Sequence, residues 1–224
     1  PTRRSSDLFE NSIVQDNLKK LTLNDYQVIQ PAVGFLACRD EGAGKLPKEE
    51  ELLEYILKEI ACEKDMKGLR VLVTAGPTME AMDPVRYITN HSTGKMGYAI
   101  ARNCMLRGAD VTLVTGQTSI EKPRFVNIVP IESAREMFEE VTGRAPEQDI
   151  IIKAAAVADY RPQTVSDEKV KKSGDHMTLE LEKTDDILKY LGEHKKEGQF
   201  LCGFSMETEH MLENSRIASP PAPS

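Results

Sequence analysis

The sequence predicts an α/β fold: a Rossmann-like, mostly parallel sheet with helices on both faces, truncated at the C-terminus. Three observations predict it. Over residues 67–217, short apolar runs alternate with amphipathic helical runs, the pattern of strands connected by crossover helices. The turns after the apolar runs are polar or carry glycine, as at Ala75-Gly76-Pro77-Thr78 and Gly116, where such sheets hold ligands at the carboxyl ends of their strands. With 224 residues, 40% hydrophobic and 29% charged, the chain has the size and composition to bury one sizeable core.

Residues 1–8 lack periodicity and read as a tail, as does the Pro- and Ser-rich segment 218–224. Between them lie two parts, 9–66 and 67–217. The first holds a helical run ending near Leu21, a short strand at Val28-Ile29 and a Gly-rich loop from Cys38 to Gly44. A helix from Lys48 to Ile60 follows, with Leu52, Leu53, Ile56, Leu57 and Ile60 at helical spacing. So few strands form no core alone, so this part packs on the rest of the chain or on a partner. In the second part, strands are expected at 70–74, 111–115, 126–130, 149–155 and 199–203. Helices are expected at 95–107, 133–142, 184–192 and 207–217. A polar insertion, 159–183, carries an extra strand at Met177 to Leu181.

The formal net charge of -7 argues against general nucleic-acid binding. No apolar run is long enough for a membrane span and no signal pattern precedes residue 9, so the cytoplasm is the expected location. Cys38, Cys62, Cys104 and Cys202 lie far apart with no Cys-x-x-Cys pair, which suggests neither a zinc site nor a disulfide framework. The last three read as small buried hydrophobes.

Three segments carry more polar equipment than connections need. Asp83 to Gly97 joins a strand to a helix N-terminus, where free N–H groups and the positive end of the helix dipole attract anions. It contains Arg86, Asn90, His91, Ser92, Thr93, Gly94 and Lys95. A Walker A reading fails, because Met96 replaces the required Ser/Thr and Thr89 stands where the first glycine belongs. The dinucleotide fingerprint fails as well, since the turn at Gly76 lacks the second and third glycines. Read as plain structure, the segment is a surface loop with Ser92 or Thr93 as helix cap, which leaves Arg86, Asn90 and Lys95 unexplained. In the second segment, Ile151 to Arg161, a buried strand ends in small residues and then Asp159 and Arg161. Small side chains let a ligand approach the backbone, and Asp159 suits a base, a ribose or water-bound Mg²⁺; the plain alternative pairs Asp159 with Arg161. The third, Lys169-Val-Lys-Lys172, is either a solvated face or a lysine flap over a triphosphate.

Together these motifs resemble one family: Val-Thr-Ala-Gly-Pro-Thr, Asp83 to Gly97, Ala-Ala-Val-Ala-Asp-Tyr-Arg-Pro and Lys-Val-Lys-Lys. It is the bacterial bifunctional phosphopantothenoylcysteine decarboxylase/phosphopantothenate–cysteine ligase of coenzyme A biosynthesis. The likeness to its ligase half runs from about residue 67 to about 216. Upstream, residues 11–18 and Leu36 to Lys45 resemble the end of the FMN-dependent decarboxylase half, with Cys38 at the position of its proton donor and Arg39 where a glycine is usual. The flavin-binding strands and histidine of that half are expected before residue 1. The resemblance implies that CTP activates 4'-phosphopantothenate as an acyl-cytidylate, with Mg²⁺, and that L-cysteine then displaces CMP. It implies Asn90 at the acyl-cytidylate, Arg86 as its companion in the cysteine-dependent step, and Lys169 on the triphosphate. Lys153, Ala154, Ala155, Asp159, Asp185, Asp186, Ile187, Leu188 and Phe204 line the nucleotide site, and Gly76, Ser92, Thr93, Gly94 and Lys95 form the phosphate loop. The chain keeps Gly203 to Thr208 and the start of the family's basic helix, and Ala218 and the unrelated tail stand where that helix's lysines and a last strand are expected. A homodimer is the implied assembly. The alternatives are an inactive nucleotide-binding or dimerisation fragment and a Rossmann NAD(P) oxidoreductase.

Overall fold

The structure, a computed structural model, describes residues 8–35, 41–171 and 176–204. It divides into two compact units, one up to residue 61 and one from residue 62.

In the first unit, α1 spans Ser12–Leu23 and is capped by Asn11, whose side chain accepts from the Ile13 N–H at 3.0 Å. The strand expected at Val28-Ile29 is irregular chain instead. The extended pair lies further on, where β1 (Ala32–Phe35) runs antiparallel to β2 (Glu41–Lys45). Much of the expected Gly-rich loop is therefore strand, because cross-strand hydrogen bonding overrides the weak intrinsic strand preference of Glu-Gly-Ala-Gly-Lys. Cys38 lies outside the described residues. Helix α2, Glu49–Ile60, begins with three glutamates that complement the helix dipole. Leu53, Ile56 and Ile60 of its apolar stripe are exposed.

The second unit is built on five parallel strands: β3 (Arg70–Ala75), β6 (Asp110–Thr115), β7 (Asn127–Pro130), β8 (Ile150–Lys153) and β11 (Phe200–Gly203). Their order, β11-β8-β3-β6-β7, means that the chain moves outward from β3 in one direction and then returns to its other side. This is the Rossmann order, and its switch point lies between β3 and β8. Side chains alternate across β3. Leu72 joins Val114 and Ile151 under α4 (Ala134–Arg144) and α5 (Ile187–His194), packing against Met137, Val141, Ile187 and Leu191. Val71 and Val73 face the opposite side with Val111 and Leu113, where α3 (Lys95–Leu106) buries Tyr98, Ala101 and Met105. Fully burying one such aliphatic chain contributes about 1.5–3 kcal/mol, so the sheet centre dominates the stability of this unit. Helix α3 sits unusually close to β3: a Cβ on Gly97 would lie 2.5 Å from the Ala75 Cβ and 2.8 Å from the Thr74 carbonyl oxygen.

The connections differ from expectation in four places. The 75–97 segment contains an antiparallel hairpin, β4 (Met79–Ala81) with β5 (Tyr87–Thr89). The buried Glu80 of β4 accepts from the Ala134 N–H at 2.9 Å, which docks the hairpin on the N-terminus of α4. In the insertion, 176–180 is irregular, and the extra strand is β10 (Leu181–Lys183), paired with β9 (Tyr160–Pro162). Strand β8 ends at Lys153, and α5 begins at Ile187 because Asp186 caps it, accepting from the Lys189 N–H at 3.0 Å. The helix expected at 207–217 lies outside the described residues. Cys104 is buried, whereas Cys62 and Cys202 are half-buried; all three are free thiols. Among the described residues, no helix is long and apolar enough to cross a membrane.

Candidate functional site

The chain leaves β3 and β8 through loops that remain joined beyond the ends of the strands. Gly76 takes φ 75°, open to glycine at little cost, and its carbonyl accepts from the Ala156 N–H at 2.9 Å. The Thr78 N–H donates back to the Ala156 carbonyl at 3.2 Å, so Pro77 and Ala156 form one further parallel bridge. Three threonines complete the seam. The fully buried Thr74 hydroxyl accepts from the Ala154 and Ala155 N–H groups at 3.2 and 3.1 Å. The Thr78 hydroxyl accepts from the Ala158 N–H at 3.0 Å, and the Thr184 hydroxyl donates to the Ala158 carbonyl at 2.6 Å.

Asn90 closes the seam from the hairpin side, its Nδ2 donating to the Ala156 and Val157 carbonyls at 3.2 and 3.3 Å. Both partners are acceptors only, so the nitrogen must face them, and Asn90 presents Oδ1 outward. Beside it opens a cleft of about 620 Å³ whose walls include Pro77, Thr89, Asn90, Ser92, Thr93 and Thr118. The helix cap expected from Ser92 or Thr93 is Gly94 instead, in a left-handed conformation at φ 77° and without a side-chain cap; Ser92 Oγ accepts from the Gly94 N–H at 3.3 Å. Ser92 and Thr93 bring the cleft up to this uncapped helix start, which suits an anion because its first N–H groups have no partner within the helix. Gly76 and Gly94 are packed against each other: a Cβ on Gly94 would lie 3.2 Å from the Gly76 Cα and 2.9 Å from the Thr118 methyl. Thr118 is in turn held by the Tyr98 hydroxyl at 3.0 Å. Lys95 opens α3 and is exposed.

A second group gathers at the carboxyl ends of β8 and β11. The Phe204 N–H donates to the Lys153 carbonyl at 3.2 Å, and a Cβ on Gly203 would touch Leu188 at 3.3 Å. Lys153 is half-buried. Burial pushes its ammonium pKa down, while Asp186 and Asp159 push it back up. Asp159 and Asp185 are exposed, and Ile187 anchors α5 in the core. Ala154, Ala155 and Asp159 thus share one rim with Lys153, Asp186, Leu188 and Phe204. Arg161 does not pair with Asp159; its Nε donates to Glu182 at 2.8 Å across the β9–β10 hairpin.

Arg86 is held by a residue whose importance single-residue reading missed. Asp83, 3% exposed, takes the Arg86 Nε and Nη2 at 2.9 and 2.5 Å. The Arg86 guanidinium holds the Asp83 carboxyl well below the usual carboxylate range against the opposing effect of burial, with the Val85, Val170 and Arg86 amides assisting. The same Arg86 Nη2 donates to the Val170 carbonyl at 2.8 Å, next to Lys169, which is exposed. The signal in the sequence is Asp83-Pro84, an Asx-turn start whose side chain binds amides two and three residues on. Thr74 and Thr78 carry no comparable signal.

The family model described as the DNA/pantothenate metabolism flavoprotein C-terminal domain matches residues 66–218, and a flavoprotein model matches residues 4–61. Among curated relatives, the Bacillus subtilis coenzyme A biosynthesis bifunctional protein CoaBC is 44% identical over 212 residues, covering 93% of this chain and 52% of its own length. Its namesake in Haemophilus influenzae is 42% identical over 204 residues, covering 91% of this chain and 51% of its own length. The chain therefore spans about half the length of these relatives. Among solved structures, the C-terminal domain of a coenzyme A biosynthesis bifunctional protein CoaBC is 47% identical with a TM-score of 0.60, covering 68% of this chain and 71% of that one. The DNA/pantothenate metabolism flavoprotein from Streptococcus pneumoniae is 25% identical with a TM-score of 0.58, covering 67% and 77%.

Proposed function

We propose a phosphopantothenate–cysteine ligase function for this chain, which belongs to the family of the DNA/pantothenate metabolism flavoprotein C-terminal domain. In this reading CTP activates the carboxylate of 4'-phosphopantothenate, and cysteine then displaces CMP from the acyl-cytidylate to form an amide. The observation that carries it is the seam at the switch point, where Asn90 is bonded to the Ala156 and Val157 carbonyls beside an anion-suited helix start. A carboxylate becomes a useful electrophile only once its oxygen belongs to a good leaving group, and bringing an anion to a triphosphate demands positive charge.

The roles follow from this. Lys153, Ala154, Ala155, Asp159, Asp185, Asp186, Leu188 and Phe204 bind the nucleotide, with the buried Ile187 taking part through its backbone at the start of α5, and the exposed Lys169 and half-buried Arg86 meet its phosphates and the acyl group. Gly76, Ser92, Thr93, Gly94 and Lys95 receive phosphate through backbone N–H groups, hydroxyls and one ammonium. Asn90 orients the acyl-cytidylate through its outward Oδ1 or, by releasing the two carbonyls, through Nδ2. No cluster of three or more metal-ligating side chains occurs among the described residues. Mg²⁺ is commonly bound through one or two carboxylates and substrate phosphates, so it needs no such cluster. Asp159 would hold it, and the ion when bound screens triphosphate charge. The relatives' bifunctional names and the flavoprotein match at residues 4–61 support a flavin-dependent activity in a longer protein. In the same reading FMN serves a decarboxylase half in which Cys38 stands at the position of the proton donor, idle in this chain, and the ligase part pairs as a homodimer.

The test is pyrophosphate release from CTP with 4'-phosphopantothenate, with and without cysteine. Release that requires phosphopantothenate is the expected result; CTP binding without release would make the chain a nucleotide-binding fragment, and preference for NADPH would overturn both. Asn90→Ala is expected to slow use of the acyl-cytidylate by about 100-fold while changing CTP affinity less than about threefold. Equal losses in both would remove the role given to Asn90.

A further inference from the structure

The Asp83 carboxylate accepts five N–H groups. Its Oδ1 takes the Val85 and Arg86 amides, each at 2.9 Å, and its Oδ2 takes Arg86 Nε, Arg86 Nη2 and the Val170 amide, the last at 3.2 Å. Arg86 Nη2 also donates to the Val170 carbonyl at 2.8 Å. Both backbone groups of Val170 are thus captured by one ion pair, which offers it an acceptor and a donor much as a neighbouring strand would. A second tie, the Ser166 N–H to the Met82 carbonyl at 3.1 Å, holds the same two segments together. A surface loop does not need a buried carboxylate to stay folded, and burying one is costly unless it is fully bonded.

This arrangement leaves Arg86 with a defined remainder. Nε and Nη2 are spent on Asp83 and Val170, which leaves Nη1 as the guanidinium nitrogen without a hydrogen-bond partner among the described residues, on a side chain that is 40% exposed. Its net charge is largely cancelled by Asp83, so what Arg86 offers a ligand is a directed donor edge more than a field. Lys169 adjoins Val170, is exposed, and has no ion-pair partner among the described residues, so it brings the net positive charge.

We propose that Asp83 is a positioning residue that fixes the Arg86 donor edge and the Lys169 ammonium as one unit toward a bound polyanion. The proposal rests on the ligase reading, in which that polyanion is the nucleotide triphosphate with its attacking carboxylate. Asp83 does not touch the ligand. It acts through Arg86 and Val170, so that ordering of residues 166–170 and orientation of Arg86 are one event.

The experiment uses the full chain with Asp83→Asn, Arg86→Lys, Arg86→Ala, the Asp83→Asn/Arg86→Ala double variant, and Arg135→Ala as an exposed control. Hydrogen exchange is read at the Val170 amide, and steady-state kinetics are read for pyrophosphate release and for amide formation. In Asp83→Asn, Val170 exchange is expected to accelerate at least about tenfold and the KM for CTP to rise about tenfold, with pyrophosphate release at saturating CTP within about threefold of the parent. Arg86→Lys, which keeps charge but loses the fork, is expected to reproduce the exchange effect, and it tests the latch if Asp83→Asn does not fold. The double variant is expected to be no worse than Arg86→Ala alone. Unchanged Val170 exchange, or losses that multiply in the double variant, would overturn the positioning role. A parent chain that neither binds CTP nor releases pyrophosphate overturns the ligase reading, and the polyanion-positioning role with it. Normal parent kinetics with an unaltered Asp83→Asn variant overturns the positioning role alone.

Discussion

Thr74→Val tests whether the seam between the two loops positions the segment proposed to bind the nucleotide. The side chain is fully buried, and valine matches its volume, so packing is nearly conserved. What disappears is an oxygen accepting two N–H groups. Ala154 keeps a partner, since its N–H also reaches the Thr74 carbonyl at 3.3 Å, whereas among the described residues no other acceptor is in place for the Ala155 N–H. Leaving one donor short costs about 1–3 kcal/mol when fully buried. Ala155 is half-buried and open to partial rescue by water, so the expected destabilisation is about 1–2 kcal/mol. Thr74→Ser provides the contrast: it keeps the hydroxyl and gives up one buried methyl, at a similar cost of about 1 kcal/mol. Urea unfolding should therefore show two variants of comparable stability. Equilibrium CTP binding should separate them, with Thr74→Val weakened about tenfold and Thr74→Ser within about twofold of the parent. If serine weakens CTP as much as valine, or valine leaves it unchanged, the hydroxyl seam has no part in positioning the nucleotide.

The remaining predictions concern the packing of α3 and the charge of Lys153. Gly97→Ala should destabilise by about 1–3 kcal/mol despite the better helix propensity of alanine, because its Cβ would sit 2.5 Å from the Ala75 Cβ; Gly143→Ala, in α4 with nothing within 4 Å, should stabilise by up to about 1 kcal/mol. Thermal melts of the pair check this, and two shifts of the same sign would contradict the close approach of α3 to β3. For Lys153, burial holds the folded-state pKa below its ordinary value of 10.5. Between that lowered pKa and 10.5 the unfolded chain binds more protons, so stability rises with pH across the window. Lys153→Met should flatten this rise in urea midpoints measured from neutral to alkaline pH; an unchanged slope would mean that the ammonium is well solvated.

The central sheet was legible because its cause is local. Val71, Leu72 and Val73, and Ile150 to Ile152, are continuous apolar runs of the sort a strand covered on both faces requires. The order of those strands was not legible, since nothing in their composition says which neighbours which. The short hairpins failed for the opposite reason: Met79–Ala81 and Leu181–Lys183 have little strand propensity and exist because a partner strand and anchors such as Glu80 hold them. In the candidate site, the polar residues between β3 and α3 stood out by chemical type. Thr74 and Thr78 did not, because a hydroxyl that bonds backbone has no distinguishing neighbours in the chain. Asp83 sat in plain view beside a proline, yet its link to Val170 spans 87 positions and belongs to the fold alone.

The bridge between Pro77 and Ala156 bears on where this protein tolerates change in length. Because pairing continues past Ala75 and Lys153, the rim proposed to meet the nucleotide inherits the stiffness of the sheet, and in that reading little ordering remains to be done on binding. One residue added within 76–78 or 154–158 would slip the register of every contact beyond it. The tip at 82–86 is also closed to insertion, because Asp83 and Arg86 must keep their spacing. Variation in length is instead expected around 119–124, where the chain between β6 and β7 is mostly exposed and irregular.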